Sequence, residues 1–450
     1  MQSKTRVQLE RLLRALVKHD RKAIDDIYEQ VEAIDLAEEI EDLEDDQLEY
    51  LCSHIDDEKL AEILEESDEE LQLEIIDYLD NRRVLSLFNY IPKDNIVDIL
   101  GELPIGKRKA LINLMKADDK RVIEQLLGYD EETAGGLMTT EYIALGAHLS
   151  IIDALIKIKE IAPKTEVIDT IFVLNDKRQL VGTADLRDIL SGNQNDQLTD
   201  IMDDYVISVH PETDQEEVAL LVSKYDLTTI PVVNKNNALL GIITVDDIID
   251  VIQEEHTEDM LQMHGVHKEE TLDSTLLESI KMRLPWLVVN LATAFFSSFV
   301  IKSFEATIEQ IVALSATMTI VTATSGNAGN QTLSILIRNI ALGEVHLRDS
   351  LPALKKEVCV GILNGFIVGC LSGSVVSLMY GNVYLGVIIC MAMTFNFMIS
   401  GLFGFIIPVA LKALKMDPAL ASSIFLTATT DILGFLTFLS LANLFLPLLT

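Results

Sequence analysis

The chain has 450 residues, 71 acidic and 35 basic, and a net charge of −36. That sign excludes nucleic acid as a partner, because one polyanion repels another. The charge is also uneven: residues 1–278 carry 64 acids and 26 bases (net −38), whereas 279–450 carry seven acids and nine bases (net +2). The second part is mostly Leu, Ile, Val, Ala, Phe and Gly, so a domain boundary is expected near Leu276–Lys281. The opening MQSKTRVQLERLL is charged and lacks the apolar stretch of a cleavable signal, so the first apolar segment would direct insertion itself.

In chain order, an acidic all-helical domain is expected over 1–130. From Leu43 a period of twelve runs through segments starting at 43, 55, 67, 79, 91, 103 and 115. The ninth position of each is apolar: Leu51, Ile63, Ile75, Leu87, Ile99, Leu111 and Ile123. Most segments open with an apolar residue followed by Asp, Ser or Pro, which suits the start of a helix. Short helices stacked as a right-angled superhelix would bury that ninth position.

A second repeat follows. VLNDKRQLVGTADLRDIL (173–190) aligns at a shift of 59 with VVNKNNALLGIITVDDII (232–249), and MTTEY and MDDY mark the two starts. Each copy reads strand, turn, strand, Gly, then a cap (Asp185 or Thr244) opening an amphipathic helix. This α/β pair, over 131–199 and 200–253, resembles the cystathionine-β-synthase (CBS) domain pair. GIITVDD is similar to the ribose-binding signature of nucleotide-binding pairs, so Thr244 and Asp247 either cap a helix or hold an adenine nucleotide such as ATP.

One long acidic helix is expected across 246–270, with 254–278 connecting to the apolar part. Its line of carboxylates either solvates one face or takes hard cations such as Mg²⁺. Asp94 and Asp98 would project from one helical face, and Asp247 and Asp250 likewise. Faces that repel when bare and are bridged by Mg²⁺ would form a switch. His264 and His267 have helical spacing without a third ligand and read as surface residues.

Five apolar segments, roughly 284–302, 311–337, 358–380, 384–411 and 418–448, each suit a membrane-spanning helix. Lys281, Arg283, Arg338, Arg348, Lys355, Lys356, Lys412 and Lys415 flank one side and only Lys302 the other. The rule that basic loops stay inside puts the N-terminal domains in the cytoplasm and the C-terminus outside a cell membrane. Cys52, Cys359, Cys370 and Cys390 lack metal or disulfide spacing and read as small packing residues.

Inside the last segment, FLTATTDILGFLTFL has one charge, Asp431, with no Lys or Arg beside it. Placing an ionised Asp mid-bilayer costs roughly 2.5–3.5 kcal/mol, so the residue calls for a function. With SGNAGNQTLSILIRNIALG (325–343), DPA (417–419), TDILGF (430–435) and YDEETAGGLMTTE (129–141), the full layout resembles the MgtE family of magnesium channels. The resemblance implies a homodimer with one central pore, closed when cytosolic Mg²⁺ binds between N-domain, CBS pair and connecting helix.

It further implies a pore carboxylate at Asp431, with the carbonyl of Ala428 and with Thr429 and Thr430 nearby, and pore-side amides at Asn327 and Asn330. Regulatory acids would be Asp94, Asp98, Asp226, Asp247, Asp250, Glu255, Glu258, Asp259 and Asp417, with Glu62 a weaker match. Met318-Thr319 stands where a proline is expected, which puts any kink there in doubt. A proton-coupled carrier using Asp431 as relay is the alternative, opposed by five spans and a single buried charge, where such carriers usually show inverted repeats and more than one membrane acid. A nucleotide sensor merely anchored by its spans fits the polar GNAGNQ break poorly. No nucleophile–base pair, P-loop or zinc spacing supports an enzyme, and no obligate protein partner is evident.

Overall fold

The structure, a computed structural model, describes Leu12, Ala15, Ile27 and residues 31–40, 43–165, 167–272, 274–344, 351–420 and 422–449. Apart from Leu12, the opening MQSKTRVQLERLL lies outside them, as does Arg348. The backbone forms two compact units, one ending at Asp250 and the other beginning at Val251.

The first unit starts with short helices: α1 (Ala33–Ile40), α2 (Asp45–His54), α3 (Asp57–Glu66), α4 (Glu69–Tyr78), α5 (Asn81–Leu87), α6 (Lys93–Glu102), α7 (Ile105–Leu114) and α8 (Ala117–Leu126). From α2 onward the N-caps fall at Glu44, Asp56, Asp68, Asp80, Pro92, Pro104 and Lys116, every twelfth residue. Asp68 and Asp80 accept from the N–H three residues on, satisfying a donor that the helix leaves free. Pro92 and Pro104 cap through backbone shape alone, without a side-chain bond. All seven ninth positions are 2 % exposed or less, as the period requires.

Two strand hairpins follow. β1 (Ala144–Gly146), α9 (Ile151–Ile161), β2 (Thr170–Leu174), β3 (Leu180–Asp185), α10 (Leu186–Ser191) and α11 (Leu198–Ile201) make the first copy. α12 (Gln215–Tyr225), β4 (Thr229–Val233), β5 (Leu239–Thr244) and α13 (Val245–Met263) make the second. β1 runs parallel to β2, β2 antiparallel to β3, and β4 antiparallel to β5. The shift of 59 holds in detail: Arg178 and Asn237 share a left-handed φ of 59°, and each hairpin slips register at Val173/Leu174 or Val232/Val233.

The copies also exchange partners. Thr139, at the start of the first, bridges Ile242 of β5, while Asp203, at the start of the second, bridges Thr183 of β3. Asp185 stands at the N-cap of α10 but makes no capping bond, contrary to expectation. Thr244 does engage, donating to the Asp247 carboxylate.

In the second unit, α13 ends earlier than the sequence suggests. The N–H of Val266 bonds Leu261 O and that of Gly265 bonds Gln262 O, with Gly265 at φ +72°. This paired closure needs a left-handed residue, which glycine supplies without strain. A Cβ there would also meet Trp286 and Ile424 within 2.9 Å. Met263 packs with Leu333, Ile337, Ala419 and Leu426, so the composition break and the packing break do not coincide. The end of an acidic helix is anchored among apolar ones.

Beyond it lie α14 (Leu276–Ser303), α15 (Glu305–Gln310), α16 (Ala313–Ala341), α17 (Leu351–Tyr380), α18 (Val383–Ala413), α19 (Ser422–Leu444) and α20 (Leu446–Leu449). Among the described residues four helices, α14, α17, α18 and α19, are long and apolar enough to cross a bilayer. α16 has the length but carries Thr, Ser, Asn and Gln throughout, which lowers its hydropathy. It runs unbroken through Met318-Thr319.

α17 and α18 meet backbone to backbone. Gly361, Gly365, Gly369 and Gly373 recur every fourth residue on the buried side of α17. A Cβ at Gly365 would lie 2.7 Å from Phe397 Cβ and 2.9 Å from Met393 O. Small residues at this spacing let helices approach where lipid offers no hydrophobic drive.

Candidate functional site

Asp431 sits half-buried within α19. Its neighbours are less available than the sequence suggests. Thr429 donates to Phe425 O at 2.8 Å and Thr430 to Thr427 O at 3.0 Å, and Thr430 is itself buried. Ala428 lies inside the unbroken helix, where its carbonyl belongs to the backbone ladder and keeps one lone pair to offer.

The SGNAGN stretch of α16 divides into two roles. Gly329 serves packing: a Cβ there would lie 3.1 Å from Leu426, and one at Gly404 of α18 would lie 2.8 Å from Gly329 O. Asn327 is exposed, free to face solvent or a second chain. Asn330 accepts from Ser423 Oγ at 3.0 Å, tying α16 to the first turn of α19.

A second membrane-domain carboxylate escaped the sequence reading, which began the third segment at 358. α17 begins at Leu351, so Glu357 lies six residues inside it, with its side chain 13 % exposed. Thr332 of α16 donates to Glu357 Oε2 at 3.1 Å, and Lys356 lies 3.6 Å from Oε1. The signal that could have found it was Glu357 directly after Lys355-Lys356, the usual start of an inserted helix. Asp431 is therefore not the single buried acid of this part.

The acids near the end of α13 do gather. Burial, then the charge of Asp417, then those of Glu255 and Glu258, push the Asp259 carboxyl up to about 7. Burial also raises Asp417, which accepts from Ala419 N at 2.7 Å. Glu258 accepts from Gln262 and faces Lys268 at 3.5 Å. His264 and His267 lie past the helix end, where His267 faces Glu269 at 3.7 Å, so their helical spacing is lost.

In the first unit the acids are scattered. Asp94 is 5 % exposed while Asp98, one turn on, is exposed, so the two do not share an environment. Asp226 holds the left-handed cap of α12 at φ 52°, a position Asp tolerates well. Burial raises the Asp247 carboxyl, the Thr244 hydroxyl opposes this, and Asp246 and Asp250 add to it. Asp250 itself is exposed. Glu62 is exposed on α3 beside Glu65, which burial raises and Asn95 of α6 steadies at 2.8 Å. Lys93 and Glu141 pair at 2.7 Å, joining α6 to the start of the first hairpin copy.

Among the described residues no group of three or more His, Cys, Asp or Glu side chains stands close enough to hold a metal ion. The structure thus brings Asp259 within electrostatic range of Asp417, Glu255 and Glu258, and Asp247 within range of Asp250.

Three regions match known families: an MgtE intracellular N domain over 31–132, CBS domains over 134–193 and 198–254, and a divalent cation transporter domain over 318–441. The chain is 35% identical over 335 residues to the magnesium transporter MgtE of Bacillus subtilis (strain 168), covering 74% of each. The crystal structure of the soluble part of a magnesium transporter matches 56% of this chain and 99% of that one, at 28% identity and TM-score 0.52. The cytosolic domain of the Mg²⁺ channel MgtE in complex with ATP matches 54% and 99%, at 31% identity and TM-score 0.52.

Proposed function

Because the chain belongs to the MgtE family, we propose that it carries Mg²⁺ across a cell membrane, down its electrochemical gradient, past Asp431. The supporting observation is that carboxylate itself, half-buried within an apolar helix with no Lys or Arg in that helix. In a homodimer each Asp431 meets its symmetry mate, and two carboxylates on one axis attract a divalent ion. Mg²⁺ dehydrates reluctantly, so the pair engages the ion through its waters. A divalent ion gains about 4.6 kcal/mol on crossing 100 mV, at ~2.3 per charge, so no second energy source is required.

α16 completes a five-span domain in this reading. Its 29 residues reach about 43 Å at 1.5 Å per residue, and its polar side faces the path rather than lipid. Basic residues at the α14 start, the α16–α17 link and the α18–α19 link keep the N-terminal domains cytoplasmic and the C-terminus outside. Mg²⁺ held by Asp259, Asp417 and their neighbours removes their repulsion and fixes the end of α13 against the bundle, closing the path; Asp94, Asp98, Asp226, Asp247 and Asp250 add further sites. ATP occupies the CBS pair at Thr244 and Asp247, exchanging the bond these residues make with each other for one to ribose. The ATP complex of a similar cytosolic domain supports nucleotide binding, and the choice of Thr244 and Asp247 rests on the GIITVDD stretch.

The deciding measurement is Mg²⁺ influx into liposomes holding the full chain. Asp431→Asn is expected to abolish influx while the protein still folds and dimerises; influx at the normal rate would refute the proposal. Glu357 favours a second reading, a proton-coupled carrier with two acids in the membrane domain. Currents that persist without a pH gradient and reverse at the Mg²⁺ equilibrium potential would eliminate it.

A further inference from the structure

A buried amide stands where α16, α18 and α19 meet. Asn396 of α18 is 2 % exposed, and neither its Oδ1 nor its Nδ2 has a hydrogen-bond partner among the described residues. Gly434 of α19 faces it: a Cβ there would lie 2.9 Å from Asn396 Nδ2 and 3.1 Å from the Thr322 methyl of α16. Met393, Phe397 and Phe438 belong to the apolar cluster of the same helices.

The other polar groups of this seam are differently placed. Thr322, Ser325, Ser400 and Thr430 are all buried, and each hydroxyl donates to a carbonyl of its own helix. Their oxygens keep acceptor capacity, whereas the Asn396 amide brings two uncommitted donors and an acceptor. An amide so enclosed is disfavoured against an apolar side chain of similar volume. Polar residues kept at such depth in a membrane domain mark function. Gly434 lies three residues beyond Asp431, on the adjoining side of α19.

We infer that Asn396 is a positioning residue for the conduction path: its amide binds ordered water in the α16–α18–α19 seam, and that water holds α19 in the rotation that presents the Asp431 carboxylate to the ion. The inference rests on the transport reading, and the two fail separately. Water suits the amide as a partner, because the buried hydroxyls around it are neutral and their oxygens keep acceptor capacity.

The test compares wild type, Asp431→Asn, Asn396→Leu and Asn396→Ser as full-length proteins, by Mg²⁺ influx into liposomes and by melting temperature. Asn396→Leu is expected to melt at or above the wild-type temperature yet carry Mg²⁺ at least tenfold more slowly. Asn396→Ser, which restores a hydroxyl able to hold water, should recover at least half of the wild-type rate. Wild-type influx in the Leu variant overturns the inference, as does a parallel loss of stability and influx or a failure to fold, since each makes the amide structural or idle. Influx in wild type and none in Asp431→Asn upholds the transport reading whatever the Asn396 variants do; no influx in wild type overturns both.

Discussion

Two seams of the membrane domain contrast. Between α17 and α18 the contact is close to backbone level, through glycines at every fourth residue, and a Cβ added at any of the four would clash. Between α16 and α19 it is made by side chains: Ser423 to Asn330, Gly329 against Leu426, and buried hydroxyls back-bonded to their own helices. In lipid both kinds of contact hold helices together, but only side chains can adjust by changing rotamer. The expected division of labour is a rigid frame beside a seam that can rotate with α19.

The largest effect should come from Gly365→Leu, whose side chain would overlap Phe397 Cβ and Met393 O. Overpacking of this kind costs about 3 kcal/mol, so loss of the folded bundle by gel filtration is expected; a well-folded variant would break the rigid-frame reading. Next comes Glu357→Ala, which takes the acceptor from Thr332 and is expected to slow Mg²⁺ influx several-fold while Asp431 is intact.

A pH test follows from the acids around α13. The Asp259 carboxyl sits near 7 when folded, above its ordinary value of 3.8. The folded form therefore holds an extra proton between about 4 and 7, and without divalent ions stability falls as pH rises through that window and levels off above it. Mg²⁺ competes with the proton, so protection of 250–275 from protease should need less Mg²⁺ at pH 8 than at pH 6. An unchanged midpoint would separate Asp259 from the cation response.

Smaller effects sharpen the contrast. Cys370 and Cys390 approach to 3.5 Å across the glycine seam, so an added two-electron oxidant should join them and leave influx unchanged. Influx lost on joining would show that this seam moves too. Ser423→Ala removes one interhelical bond and should cost about 0.6 kcal/mol in melting experiments.

Much of this was legible in the residues. The twelve-residue period named seven buried positions because helix spacing and capping are local. The shift of 59 carried over to φ values and register slips for the same reason. The exchange of Thr139 and Asp203 between copies could not be read, since it joins segments far apart in the chain. The glycines at 361, 365, 369 and 373 were visible as a spacing, yet their partner was not. Asn396 carries no signal in the sequence, because its setting depends on Gly434 and Thr322 of two other helices. Glu357 fell outside the third apolar segment because its start at 358 lies seven residues after the helix begins at Leu351.

The evenly spaced N-caps set a rule of length for the first part of the chain. Removing a single residue from α4 or α5 would put every later cap out of step and turn buried side chains outward. Removing twelve would delete one whole step and leave the remaining ones in phase. Insertions and deletions among homologues should therefore come in dozens, like rungs added to or taken from a ladder.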